Sequence, residues 1–163
     1  MSMIQRILIL FIILSSGYSN NFSLEIGDKA PPIYLFKLED NKYFKSKSLL
    51  DKKNLVVSFF ATWCVPCAKE IPELTKLSKQ LGDDFQFLLV DVNEKKDKVK
   101  GHISKKGITL QVVLDKYGKT FEKFGGTTLP LLVVIDKKGN ISYKHTGYVS
   151  GDEKELKKHL LSL

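Results

Sequence analysis

The sequence predicts an α/β fold in which a central mixed β-sheet is flanked by helices on both faces. Three observations lead there. Apolar runs of strand length, at residues 55–60, 85–92 and 131–135, are separated by segments with helical spacing of apolar residues. The alternation of strand and helix gives way to a hairpin and a final helix, the order of a mixed sheet rather than an all-parallel one. No repeat, low-complexity stretch or linker interrupts the chain, so its 163 residues read as one domain large enough for a core.

The elements follow in order. Arg6 precedes uninterrupted Ile, Leu and Phe at residues 7–14, and then come Ser15, Ser16, Gly17, Tyr18 and Ser19. A positive start, a short apolar centre and small residues make a secretory signal. Gly17 and Ser19 hold the small-x-small positions, which divides the chain into a signal peptide at 1–19 and a domain at 20–163. The apolar segment falls short of the about 20 residues a spanning helix needs. A soluble, exported protein in the periplasm or an equivalent compartment is therefore expected over an anchored one.

Turn-rich residues 26–32 lead into a strand at 33–38. Residues 39–42 form a turn in which Asn41 tolerates positive φ, and Tyr43 and Phe44 begin the return strand of a hairpin. Residues 45–50 read as a short helix capped at Ser46 or Ser48. The buried strand at 55–60 is followed by a helix at 68–81, with Ile71, Leu74, Leu77, Ser78 and Leu81 on one face and Gly82 as its stop. A second buried strand spans 85–92. Residues 95–106 read as a helix with Val99, His102 and Ile103 on one side and a solvated lysine face, ended by Gly107. A short strand at 112–114, a short helix at 119–124 with Phe121 and Phe124 inward, and a buried strand at 131–135 come next. The turn at 136–140 leads into a strand at 141–145. The last helix begins at Asp152, with Leu156, Leu160 and Leu163 on one face.

Composition narrows the function classes. The formal net charge is +8, and removal of residues 1–19, which carry Arg6 and no acid, leaves +7. The lysines are spread along the chain and Arg6 is the only arginine, whereas nucleic-acid readers rely on clustered arginine. No nucleic-acid partner is expected.

The chemistry concentrates in Ala61-Thr62-Trp63-Cys64-Val65-Pro66-Cys67, which holds the only two cysteines. A strand that delivers Cys-x-x-Cys to a helix start is suited to redox work, because unpaired N–H groups of the first helical turn stabilise a thiolate. A structural staple of so short a loop adds only about 2 kcal/mol in the chain-entropy model. Zinc needs about four ligands, and His102, His145 and His159 are scattered, so no metal is expected. Outside the cytoplasm a lone pair of this kind also requires an electron donor that recycles it. Pro66 suits the first helical turn, where no hydrogen bond is lost. Glu70 lies on a neighbouring helical face, and by helix physics alone an exposed first-turn glutamate and a site residue are equal readings. Pro72 is expected to kink the helix.

These residues resemble the thioredoxin superfamily, and more closely its exported TlpA/ResA-like branch of thiol–disulfide oxidoreductases. The resemblance runs from about Ile26 to the C-terminus. It rests on Gly27-Asp28-Lys29-Ala30-Pro31 as the entry motif, Phe59-Phe60-Ala61-Thr62-Trp63-Cys64-Val65-Pro66-Cys67 as the active site, Glu70-Ile71-Pro72 after it, and Thr128-Leu129-Pro130 as the loop with a cis proline. The segment from Lys95 to Phe124 resembles the βα insertion of that branch. The resemblance implies a thioredoxin-like fold with an N-terminal hairpin and this central insertion.

It also implies roles. Cys64 would be the more exposed, nucleophilic cysteine; a thiol pKa lowered from about 8.5 to about 7 raises the thiolate share at neutral pH from about 3% to about half. Cys67, buried one turn in, would resolve the mixed disulfide. Glu70 would exchange protons with the cysteines, although its charge opposes thiolate formation. Trp63, Val65, Pro66, Leu129 and Pro130 would contact the client. No cofactor is implied beyond the Cys64–Cys67 disulfide. The implied partners are a protein thiol or disulfide client, such as the haem-site cysteines of apocytochrome c, and a membrane or periplasmic electron donor. Three positions depart from the pattern. Ser58 stands where a buried aspartate or asparagine is usual, so a general base is missing there. Phe60 replaces a common tryptophan, and Leu131-Leu132 replace frequent threonines. A dithiol reductase is the first reading. An oxidase or isomerase, and a non-catalytic binding or chaperone module, stay open beside it.

Overall fold

The computed structural model describes residues 24–163. The expected signal peptide at 1–19 and its cleavage point lie outside them. Seven strands form one sheet: β1 (Tyr34–Lys37), β2 (Tyr43–Lys45), β3 (Asn54–Phe60), β4 (Phe85–Val92), β5 (Gln111–Asp115), β6 (Leu131–Ile135) and β7 (Ile141–Thr146). Among the described residues four α-helices accompany them: α1 (Val65–Leu81), α2 (Lys96–Lys106), α3 (Lys119–Lys123) and α4 (Asp152–Leu160).

The strand order is β2-β1-β5-β4-β3-β6-β7. β3, β4 and β5 run parallel, joined by α1 and α2, while β6 and β7 add antiparallel at one side. The insertion supplies β5, and β1 pairs with β5 alone in the main sheet. The N-terminal hairpin therefore attaches through the insertion.

Period-two alternation sorts the core into two layers. Val56 and Phe60 of β3 face α1, α2 and α4, where Ile71, Leu74, Leu77, Val99, Leu156 and Leu160 bury their side chains. Leu55, Val57 and Phe59 face the other way, toward Ile33, Phe44, Phe124 and the partly buried Phe121. β3 is buried along its whole length. It is central and covered on both faces, which is why it reads as a continuous apolar run.

Some local expectations are revised. The helix after the cysteines starts at Val65, three residues before the expected 68, because Cys64 itself takes the extended N-cap position. Residues 46–48 make only a 3-10 turn, and Ser46 does not cap it; the Ser46 Oγ instead accepts the Ile33 N–H at 2.9 Å. Leu163 is exposed, since α4 ends at Leu160 and only Leu156 and Leu160 reach the core. Pro72 lies inside α1, where the sequence placed it. The proline cannot donate to the Ala68 carbonyl one turn back, and Ala68 is exposed, so water can satisfy that oxygen.

Candidate active site

The site stands where β3 ends and α1 begins. This is the carboxyl end of the parallel strands, where open α/β sheets place their ligand sites. Cys64 and Cys67 form a disulfide with Cα atoms 5.3 Å apart. The Cys64 Sγ accepts the Cys67 N–H at 3.2 Å, so sulfur serves as the helix cap. The expectation that first-turn N–H groups face the first sulfur therefore has a direct contact behind it. Both cysteines are buried in the oxidised state, Cys64 at 4% exposure and Cys67 at 1%. The expected contrast in exposure is thus slight. Access is left to the neighbours: Trp63 and Val65 are 67% and 69% exposed, and Pro66 is half-buried.

Glu70 is not an exposed helix-start glutamate. It is 2% exposed, on the inward face one turn beyond Cys67, the i, i+3 relation that brings side chains together. The Ser58 hydroxyl donates to its Oε2 at 2.6 Å. Ser58 comes from the α1-facing side of β3 and is itself fully buried. The position that lacks a carboxylate thus anchors one. Burial raises the Glu70 pKa to about 7; the Ser58 hydrogen bond opposes the rise and the Asp152 charge adds to it. Glu70 also lines a cavity of about 10 Å³ with Tyr143, His145, Tyr148 and Asp152, room for about one water. His145 Nε2 lies 3.1 Å from Asp152 Oδ2 at this opening.

Leu129-Pro130 is a cis peptide. Antiparallel β6 pairs Leu131 with Phe59, so Pro130 falls abreast of Phe60, at the end of β3 from which the cysteine loop departs. Pro130 is buried, Leu129 is half-buried, and the Pro130 carbonyl accepts the Gly147 N–H at 2.8 Å. The residues singled out in the sequence therefore gather at one end of the sheet.

Two acids were missed. Asp91 closes the buried run of β4 and is 0% exposed. Glu94 follows it, accepting the Thr62 N–H at 2.5 Å, the Thr62 Oγ–H at 2.8 Å and the Lys98 ammonium at 2.6 Å. A signal for Asp91 was present: Phe87 and Leu89 face the α1 layer, and the same alternation points Asp91 inward.

Comparison with known proteins agrees with this geometry. The Redoxin family matches residues 25–160. The thiol-disulfide oxidoreductase ResA of Geobacillus thermodenitrificans is 30% identical over an alignment 174 positions long, covering 99% of this chain and 95% of its own. The thioredoxin-like protein YneN of Bacillus subtilis is 30% identical, covering 82% of this chain and 79% of its own. A thiol:disulfide interchange protein of the thioredoxin family from Chlorobium tepidum superposes with a TM-score of 0.71 at 31% identity, covering 85% of this chain and 97% of its own. StoA from Bacillus subtilis shares the fold, with a TM-score of 0.66 at 21% identity over 80% of this chain and 98% of its own. Fold, cysteine placement and near end-to-end similarity thus converge, and the chain belongs to the Redoxin family as a TlpA/ResA-like thiol–disulfide oxidoreductase of the thioredoxin superfamily.

Proposed function

We propose that this oxidoreductase works as an exported reductase of protein disulfides. The dithiol chemistry is carried by Glu70, a buried carboxyl one turn from the buried cysteine, held by Ser58, with a pKa of about 7; the reducing direction is favoured by a small single domain with the βα insertion and no inserted helical domain among the described residues. A group half protonated at neutral pH is suited to take and return protons during dithiol chemistry.

In the reducing direction the Cys64 thiolate attacks one sulfur of the client disulfide. An S–S bond forms between Cys64 and the client, and the client's other sulfur leaves as a thiolate that takes a proton. Cys67 then loses its proton to Glu70 and attacks the Cys64 sulfur. The second client sulfur departs and is protonated, and the protein is left as the Cys64–Cys67 disulfide. Two electrons and two protons have passed to the client. The cavity beside Glu70 supports proton exchange with solvent through Tyr143, His145 and Asp152, away from the sulfurs. Exposed Trp63 and Val65, with half-buried Pro66 beside them, present an apolar rim for the client, with Leu129 and Pro130 across the end of β3. Removal of residues 1–19 would leave residues 20–163 as the working domain outside the cytoplasm, where a membrane or periplasmic dithiol donor must restore the reduced pair. Clients whose thiols must stay reduced, such as the haem-attachment cysteines of apocytochrome c, fit that role.

The reduction potential tests the direction. A reductase is expected toward the thioredoxin value of about −270 mV, and a value near about −120 mV, that of a strong dithiol oxidase, would overturn the reading. Equilibration with glutathione buffers, read by the mass of the alkylated protein, measures it.

A further inference from the structure

Asp91 poses a problem that the dithiol mechanism leaves untouched. It is fully buried, yet among the described residues neither carboxylate oxygen has a partner at full hydrogen-bond geometry. A buried, unpaired carboxylate is too costly to keep ionised. Among the described residues its polar surroundings are Glu94, through both carboxyl and backbone, and the charge of Lys98, and the Glu94 carboxyl is itself committed to Thr62 and Lys98. Two carboxylates cannot pair without a proton between them. Glu94 is the better place for the negative charge, because three donors surround it.

The location gives the pair a consequence. β4 lies beside β3 with Asp91 opposite Phe60, directly below the point where the chain leaves the sheet for Cys64. Thr62, the residue Glu94 grips through both its backbone and its side chain, lies two residues before Cys64.

We infer that Asp91 and Glu94 form a proton-sharing carboxyl pair that positions the Cys64 loop, the Asp91 proton allowing Glu94 to remain ionised and hold Thr62. They are positioning residues and touch neither sulfur nor client in this role. The titratable and charged groups around them are Lys98 and His102 from α2 and, once the disulfide is reduced, the thiols of the adjoining loop. Burial and the Glu94 carboxyl raise the Asp91 pKa to about 8. Burial also pushes Glu94 upward, but Lys98 and Thr62 outweigh it and bring Glu94 down to about 2. Above about pH 8 Asp91 therefore ionises against Glu94, and the grip on Thr62 loosens.

The test follows the Thr62 amide proton in the NMR spectrum of the oxidised wild-type protein between pH 6 and pH 10. A step centred near pH 8 is expected, and the Asp91→Asn variant, whose amide donates without ionising, removes it. Initial rates of reduction of a model peptide disulfide at about pH 7 and about pH 9 supply the second readout. Relative to Asp91→Asn, the wild type loses about tenfold at the higher pH, the ratio of ionised to protonated carboxyl one pH unit above the midpoint. A Thr62 shift that is flat across the range, or superimposable wild-type and Asp91→Asn rate profiles, overturns the inference. The NMR arm needs no variant, so poor folding of Asp91→Asn leaves it intact. The inference rests on Cys64 dithiol chemistry alone, so a potential that reverses the electron flow does not affect it.

Discussion

Ser58 and Glu70 show how one hydroxyl defines the chemistry of a buried acid. The serine supplies the one side-chain hydrogen bond that stabilises the ionised form of Glu70 against burial. Ser58→Ala should therefore raise the Glu70 pKa above its value of about 7 and shift the alkaline-side rise of the rate profile upward. The lost hydrogen bond should lower stability by about 1–2 kcal/mol. Paired pH–rate profiles and chemical denaturation check both effects. Glu70 itself has a stability signature. Its folded pKa of about 7 lies above the ordinary 4.5, so between these values the native state holds a proton that the unfolded chain has released. Stability contributed by this group is complete below about pH 4.5, falls as pH rises, and levels off above about pH 7. The whole change is about 3 kcal/mol, and Glu70→Gln should flatten it. Denaturant midpoints of the oxidised protein from pH 4 to pH 8 read the difference.

Helix α3 shows what an element can demand of a residue far from the chemistry. Phe121 and Phe124 both pack on Phe59 of β3, with ring centroids 5.5 Å and 5.3 Å away. The chain then folds back so tightly that a Cβ on Gly126 would collide with the Phe121 ring. Gly126→Ala should force that ring off Phe59 and cost about 1–3 kcal/mol, measured as a drop in the thermal midpoint. The inward phenylalanines of this helix were legible from their spacing, because amphipathic periodicity reports burial directly. The tight return was not, since nothing local in Gly125-Gly126 says which ring lies above it. The same contrast runs through the other elements. α1 was legible from Ile71, Leu74 and Leu77, and Pro66 marked its first turn, but apolar periodicity alone started it at 68, because a cysteine acting as N-cap carries no propensity signal. The burial of Glu70 depends on β3 and α4 closing over the helix, and helix spacing alone left that undecided.

For the whole molecule, the fold was legible because sheet and helix periodicities, turns and the cysteine motif all agreed. Asp91 was only half legible: alternation with Phe87 and Leu89 points it inward, but a carboxylate at the end of an apolar strand reads as the exit from the sheet until the register with Phe60 is known. Among the described strands the hairpin likewise pairs with the main sheet only through β5, so the long-range order of the strands, and not local pattern, decides which segment the insertion supports. All the site residues converge on the carboxyl end of β3, and the account's central claim is the division of labour between its two cysteines. Trapping tests that claim most directly. Reduced Cys67→Ser and Cys64→Ser proteins are mixed with a disulfide-containing peptide, quenched with acid and analysed by intact mass and peptide mapping. The account predicts a mixed disulfide that accumulates on Cys64 of the Cys67→Ser protein, with little on the Cys64→Ser protein. Accumulation on Cys67 of the Cys64→Ser protein, with none on Cys64, would contradict it.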